Sequence, residues 1–173
     1  MRLIQKPEDG EFAAYAIQYI GLLPDDGRVL EHLQTNVAAT RELVGNLPEE
    51  RLLFRYAQGK WSIKEILQHI SDDERIYAYR ALRFARADAT ELPGFEQDDY
   101  TRSANADERP IDELLGELDS VRASTIALFE GLPHDSLVRS GVASGHRMSV
   151  RAIAYHIAGH ELRHANIIRE RYL

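Results

Sequence analysis

The sequence predicts an all-α protein, an antiparallel four-helix bundle with a short extra N-terminal helix and a long loop between helices two and three. Three observations carry this. Four segments of roughly 20 residues repeat apolar side chains at helical spacing. No alternating run of strand type competes with them. Helix start and stop signals bracket the segments at the right places. Four one-faced helices of this length bury their stripes most simply against one another.

The elements follow in order. A short helix is expected over Glu11 to Leu23, rich in Tyr15, Tyr19 and Ile20 and stopped by Pro24-Asp25-Asp26-Gly27. Helix one runs from about Gly27 to Asn46, with Leu30, Leu33, Val37, Thr40 and Val44 on one stripe and Pro48 just beyond. Helix two opens at Ser62-Ile63-Lys64-Glu65, a capping box in which Ser62 caps and Glu65 reaches back; it runs to about Ala87. Helix three starts near Pro110, with Asp112 and Glu113 in its positive first turn. Its stripe of Leu114, Leu118, Val121, Thr125 and Leu128 ends at Gly131-Leu132-Pro133. Helix four is capped by Ser149 and runs to the end of the chain. The stretch from Asp88 to Arg109 shows no clear pattern and reads as a loop, and loops that long are usually functional or disordered.

Length and composition narrow the function classes. At 173 residues the chain is expected to form one domain over 1–173, and 44% apolar with 28% charged residues is ordinary for a soluble protein. The net charge of −7 argues against a nucleic-acid backbone as the main partner. The absence of cysteine excludes disulfides, thiolate-held zinc and a cysteine nucleophile. Neither a signal peptide nor an apolar stretch of about 20 residues is evident, so no membrane role and a cytoplasmic location are expected.

The most informative string is His160-Glu161-Leu162-Arg163-His164. Residues four apart share a helix face, so both imidazoles can close on one metal ion. The same letters mark zinc proteases, whose Glu is the general base. Such enzymes take a third ligand, usually downstream, and only Ala165 to Leu173 follow. The third ligand is therefore expected upstream. At roughly 100° per residue, Ile153, Ile157, His160, His164 and Ile167 fall within a sector of about 80°, facing the bundle interior. On helix two, Ile66, His69, Asp73 and Ile76 form a similar stripe. Bundle axes lie about 8–10 Å apart, so an imidazole from each side can meet. One metal on His69, His160 and His164 is thus one reading, with Asp73 as an orienting group or a fourth ligand. Hydrogen-bonded core histidines are the other. His156 sits at the edge of the stripe and is expected to hydrogen-bond elsewhere. His32, His134 and His146 read as surface residues, although His146 could line the site. Glu161 reads as a salt-bridge partner of Arg163 or of a neighbouring helix rather than as a catalytic group.

These residues also carry a resemblance. Lys60-Trp61-Ser62-Ile63-Lys64-Glu65-Ile66-Leu67-Gln68-His69, then Asp73-Glu74-Arg75-Ile76, Arg80 to Arg86, Leu92-Pro93-Gly94-Phe95 and Met148 to His164 resemble the DinB/YfiT-like superfamily over nearly the whole chain. The resemblance implies a four-helix bundle, often a homodimer, with one divalent metal on His69, His160 and His164. It implies a metal-dependent hydrolase or a transferase of low-molecular-weight thiols, with a small-molecule substrate and a thiol as one candidate cofactor. Imidazole suits zinc, nickel, copper and iron alike; the expected cofactor is one divalent ion, and zinc, nickel or iron are the candidates. No catalytic residue is assigned. A metal-stabilised stress-response or interaction bundle without turnover is the alternative. If the site turns over, the Asp88–Arg109 loop and the Tyr-rich N-terminal segment are expected to shape its pocket. Phe95 and Tyr100 would then meet a ligand's carbon skeleton, and Asp98 and Asp99 would disfavour anions.

Overall fold

The computed structural model describes residues 1–173. In chain order its helices are α1 (Ile17–Ile20), α2 (Val29–Val44), α3 (Glu49–Leu52), α4 (Ile63–Ala85), α5 (Gln97–Ser103), α6 (Ile111–Gly131) and α7 (Val150–Arg171). A two-stranded ribbon, β1 (Ser140–Ala143) and β2 (His146–Ser149), precedes α7. The four long helices are those expected, and their starts have local causes. The Glu65 N–H donates to the Ser62 hydroxyl at 3.0 Å, and the Ser62 N–H donates to the Glu65 carboxylate at 2.7 Å. This reciprocal pair satisfies two donors that a helix start leaves without partners. Ser149 caps α7 by accepting from the Ala152 N–H at 3.1 Å.

The arrangement of the bundle corrects the expected antiparallel, up-and-down order. Contacts between α4 and α7 run in opposite senses, His69 meeting His164 while Asp73 meets His160. Contacts between α4 and α6 run in the same sense, Gln68 meeting Glu117 and Glu74 meeting Arg122. Likewise α2 runs parallel to α7, with Asn36 on Ala158 and Thr40 on Glu161. It runs antiparallel to α6, with Leu33 on Arg122 and Arg41 on Asp119. Each of these four helices therefore has one parallel and one antiparallel neighbour, and consecutive α2 and α4 lie across the diagonal. The parallel pairing of α4 and α6 dictates the long connection. The chain leaving Ala85 must return along the 23 residues of α4, about 34 Å, before α6 can start.

That connection is not patternless. It carries α5 and a 3-10 turn at Ala106–Glu108. Seven residues are too few for a helical stripe to be read from sequence. The expected Glu11–Leu23 helix is likewise reduced to a 3-10 turn at Ala14–Ala16 followed by α1. The Glu11 carbonyl accepts from the Ser149 N–H at 2.8 Å, so it is taken by a distant segment instead of by a helical turn. The ribbon is a further addition. Its tip, Ser144-Gly145, has positive φ at both residues (54° and 74°), as a two-residue turn of type I′ requires.

Two apolar clusters fill the interior. One gathers around Leu30, Phe84, Phe129 and Tyr155, the other around Ile66, Leu67, Leu115 and Ile168. Between them, a layer of buried polar residues crosses all four long helices: Thr40, His69, Asp73, Glu74, Arg122, His156, His160 and Glu161. Arg122 anchors it, with Glu74 and Glu161 carboxylates each 2.7 Å away and the Leu33 carbonyl as a further acceptor. Removing one member leaves an uncompensated charge in the core. Arg122→Met is expected to destabilise the fold by about 3–5 kcal/mol, read as a lowered urea midpoint; an unchanged midpoint would contradict this role.

Candidate metal centre

His69 projects from α4 and meets His160 and His164, one turn apart on α7. The Nε2 atoms of His69 and His160 are 3.1 Å apart, and those of His160 and His164 are 3.2 Å apart. All three ligand atoms lie within 4.8 Å of one another. An ion about 2.1 Å from each nitrogen would separate neighbouring ligands by roughly 3.0–3.4 Å at tetrahedral to octahedral angles. The donor set fits that requirement. Without a shared ion or proton, lone pairs this close would repel one another in a buried setting.

The surroundings fix the imidazoles in a ligand-ready state. Asp73 Oδ2 lies 3.4 Å from His160 Nδ1 and 3.6 Å from His156 Nε2. A proton on His160 Nδ1 facing this carboxylate leaves the Nε2 lone pair free, as in carboxylate–histidine–metal arrangements. Burial opposes the charge on Asp73, but the facing His160 and His156 rings outweigh it and hold its carboxyl below the usual range. Burial pushes His69 down, His160 down to about 3, and His164 well below its ordinary value. All three are neutral near pH 7, the form in which imidazole binds metals.

Aromatic side chains wall the cluster. Trp61 packs on His69 with ring centroids 4.7 Å apart and stacks over His164 at 6.4 Å. Tyr19 sets its edge against His160 at 5.4 Å. Its position follows from glycine: a Cβ on Gly159 would fall 2.2 Å from the Tyr19 carbonyl oxygen, so α1 can lie directly on the α7 backbone. Two clefts reach the cluster. One of about 300 Å³ touches His164 and is lined by Tyr56, Lys60, Trp61, Asp98 and Tyr172. The other, of about 330 Å³, touches His160 and is lined by Tyr15, Tyr77, Arg80, Phe95 and His156. Gln97, the first residue of α5, lines both. The long connection and the N-terminal segment thus both border the cluster. A roomier cleft of about 510 Å³ at Asp72, Tyr100 and Arg109 contains no histidine.

The structure brings together the three expected ligand residues and Asp73. Glu161 is fully buried against Arg122 and Thr40, on a different side of α7, and does not take the base position of a protease. His32 is not simply solvated, since its Nε2 sits 2.9 Å from an Asp26 carboxylate oxygen. His134 and His146 are exposed, and His146 lines the cleft at His160. The expectation for His156 fails: both its ring nitrogens lack a hydrogen-bond partner, and it stacks on Tyr77 with centroids 3.9 Å apart. Tyr100 contacts Phe95 at 5.2 Å but does not line either cleft at the cluster. Tyr19 belongs to the Tyr-rich segment expected to shape the pocket, and it borders His160. Trp61 and Arg80 carry no expected role of their own; the Lys60-Trp61-Ser62 string is a usable signal for the first, and nothing local announces the second.

The fold and the site define the class: a diagonal four-helix bundle with an inward cluster of three histidines able to hold a metal ion. The family profile of the DinB superfamily matches residues 32–168, and the chain belongs to that superfamily. A protein of Oceanobacillus iheyensis named "Putative metal-dependent hydrolase" is 25% identical over 137 residues, 78% of each chain. Among solved structures, YfiT from Bacillus subtilis is similar with a TM-score of 0.76 at 14% identity, covering 96% of this chain and 91% of that one. Its description reads "a probable metal-dependent hydrolase with an unusual four-helix bundle topology". At that identity the likeness shows the shared fold.

The depressed imidazoles make a pH prediction for metal-free protein. Between about pH 6.5, where unfolded imidazoles take up protons, and the much lower folded values, the unfolded chain binds more protons than the folded one. Stability is therefore present above this window and is lost as pH falls through it, by up to about 1.4 kcal/mol per imidazole per unit. Thermal melts of metal-free protein should fall steadily from pH 7 to pH 5; a flat profile would contradict neutral buried imidazoles.

Proposed function

We propose that this protein is a metal-dependent hydrolase of a small-molecule substrate, with one divalent ion held by His69, His160 and His164. The observation that carries the reading is the convergence of three Nε2 atoms within 4.8 Å, with one cleft touching His164 and another touching His160. A bound divalent ion supplies Lewis acidity there and lowers the pKa of a bound water towards ~7. The chain's own groups do the rest. Asp73 faces His160 Nδ1 and sets its tautomer, so that Nε2 points inward. Trp61 and Tyr19 cover the imidazole faces and keep bulk water from them. His164 sits at the floor of the Trp61 cleft, where a reacting group has a route in from solvent. Gln97 lines both clefts and has a carboxamide to offer a substrate. The names of the Oceanobacillus and Bacillus relatives support hydrolysis. The wider resemblance keeps thiol transfer as the second chemistry to assay at the same position.

The test begins with metal content of tag-free protein by elemental analysis, then an ester and thiol substrate screen. His69→Ala, His160→Ala and His164→Ala are each expected to weaken metal binding by on the order of 100-fold. Glu161→Gln should retain the metal although it weakens the fold, since its carboxylate faces Arg122. Full metal retention by all three alanine variants would overturn the centre. Loss of metal without any change in turnover would overturn the hydrolase reading while leaving the ion as a structural one.

A further inference from the structure

Three cations are almost wholly buried in this protein: Lys64, Arg122 and Arg80. Lys64 pairs with Glu49, and Arg122 pairs with Glu74 and Glu161. Arg80, only 5% exposed, has no carboxylate partner. Its Nη2 donates to the Pro93 carbonyl and to the Ser144 hydroxyl, both at 3.1 Å, and its Nε and Nη1 make no hydrogen bond within the protein. A buried charge without a counter-ion is costly, and guanidinium is strongly suited to planar anions.

The place of this charge is informative. Arg80 lines the cleft that touches His160, and a stacked column joins the two. Its guanidinium lies 4.8 Å over the Tyr77 ring. Tyr77 stacks on His156 at 3.9 Å, and His156 lies parallel to His160 at 5.7 Å. His156 is 2% exposed, lines the same cleft and has both ring nitrogens without a partner. The Tyr15 and Tyr77 hydroxyls, 3.1 Å apart and bonded to each other, leave one further polar hydrogen on that wall.

We propose that this cleft binds the carboxylate of a small-molecule substrate, with Arg80 as its counter-ion and Tyr15, Tyr77 and Phe95 against its carbon skeleton. The site rests on the metal reading only in that the other end of the molecule would then meet His160. A single negative charge suits it better than a phosphate's higher charge, because Asp73 and Glu96 share the cleft. Asp98 and Asp99, which on sequence would repel an anion, line other clefts.

Benzoate and its uncharged counterpart benzamide are suitable probes, titrated calorimetrically into the protein with its metal content recorded. Wild type is expected to bind benzoate on the order of ten-fold more tightly than benzamide. Arg80→Gln should abolish that preference with metal content unchanged, and His164→Ala should keep the preference while losing the metal. If Arg80→Gln does not fold, Arg80→Lys serves, since it keeps the charge without the fork and should weaken benzoate binding several-fold. An unchanged preference in the arginine variants would overturn the proposal, as would its loss in His164→Ala, which would put benzoate on the ion. Inorganic phosphate competing as strongly as benzoate would overturn the carboxylate assignment. A wild type that takes up no divalent metal yet prefers benzoate would sink the metal centre and leave the carboxylate site standing.

Discussion

Holding three imidazole nitrogens face to face inside a helical bundle requires that polar groups replace apolar ones through the middle of the core. Each buried imidazole has two nitrogens to satisfy, and neither apolar cluster can supply a partner. The chain answers with a polar layer that crosses all four long helices. Asp73 faces His160 on one side of α7, while Glu161 on another side is tied to Thr40 and to Arg122, which also pairs with Glu74. The helices cannot slide against one another without parting these pairs. The layer therefore fixes the register at which His69 on α4 meets the two α7 histidines.

The same register is served by the unusual order of the helices. Placing α4 beside both α6 and α7 lets one helix contribute His69 and Asp73 to one side and Glu74 to Arg122 on the other. Because α6 is parallel to α4, the chain must recross the bundle, and the crossing segment passes the histidine cluster. Its Gln97 and Phe95 then line the clefts there. A connection forced by topology thus doubles as the wall of the site. The ribbon contributes in a similar way: Ser144 at its tip holds Arg80, which frees the rest of that guanidinium for the cleft.

Much of this was legible in the sequence. The four long helices could be placed because their stripes and caps are local, as with Ser62 and Glu65. His69, His160 and His164 could be paired because helical spacing alone put them on inward faces. The diagonal order could not be read, since stripes report which face is buried and not which helix covers it. The length of the 88–109 stretch is its trace in the sequence, where it has the pattern of a loop. The role of Glu161 was half legible: a neighbouring helix was expected, but Arg122 lies 39 positions before it and shares no local pattern. His156 was misjudged because its surroundings, Tyr77, Tyr19 and Asp73, come from segments far apart in the chain.

In the proposed centre three imidazoles from two helices surround one ion. X-ray absorption at the metal edge of tag-free, metal-loaded protein tests it most directly. The expected first shell contains three imidazole nitrogens at about 2.1 Å with the outer-shell scattering of their rings, reduced by one imidazole in His69→Ala. A shell dominated by oxygen, or one unchanged by loss of His69, would contradict it.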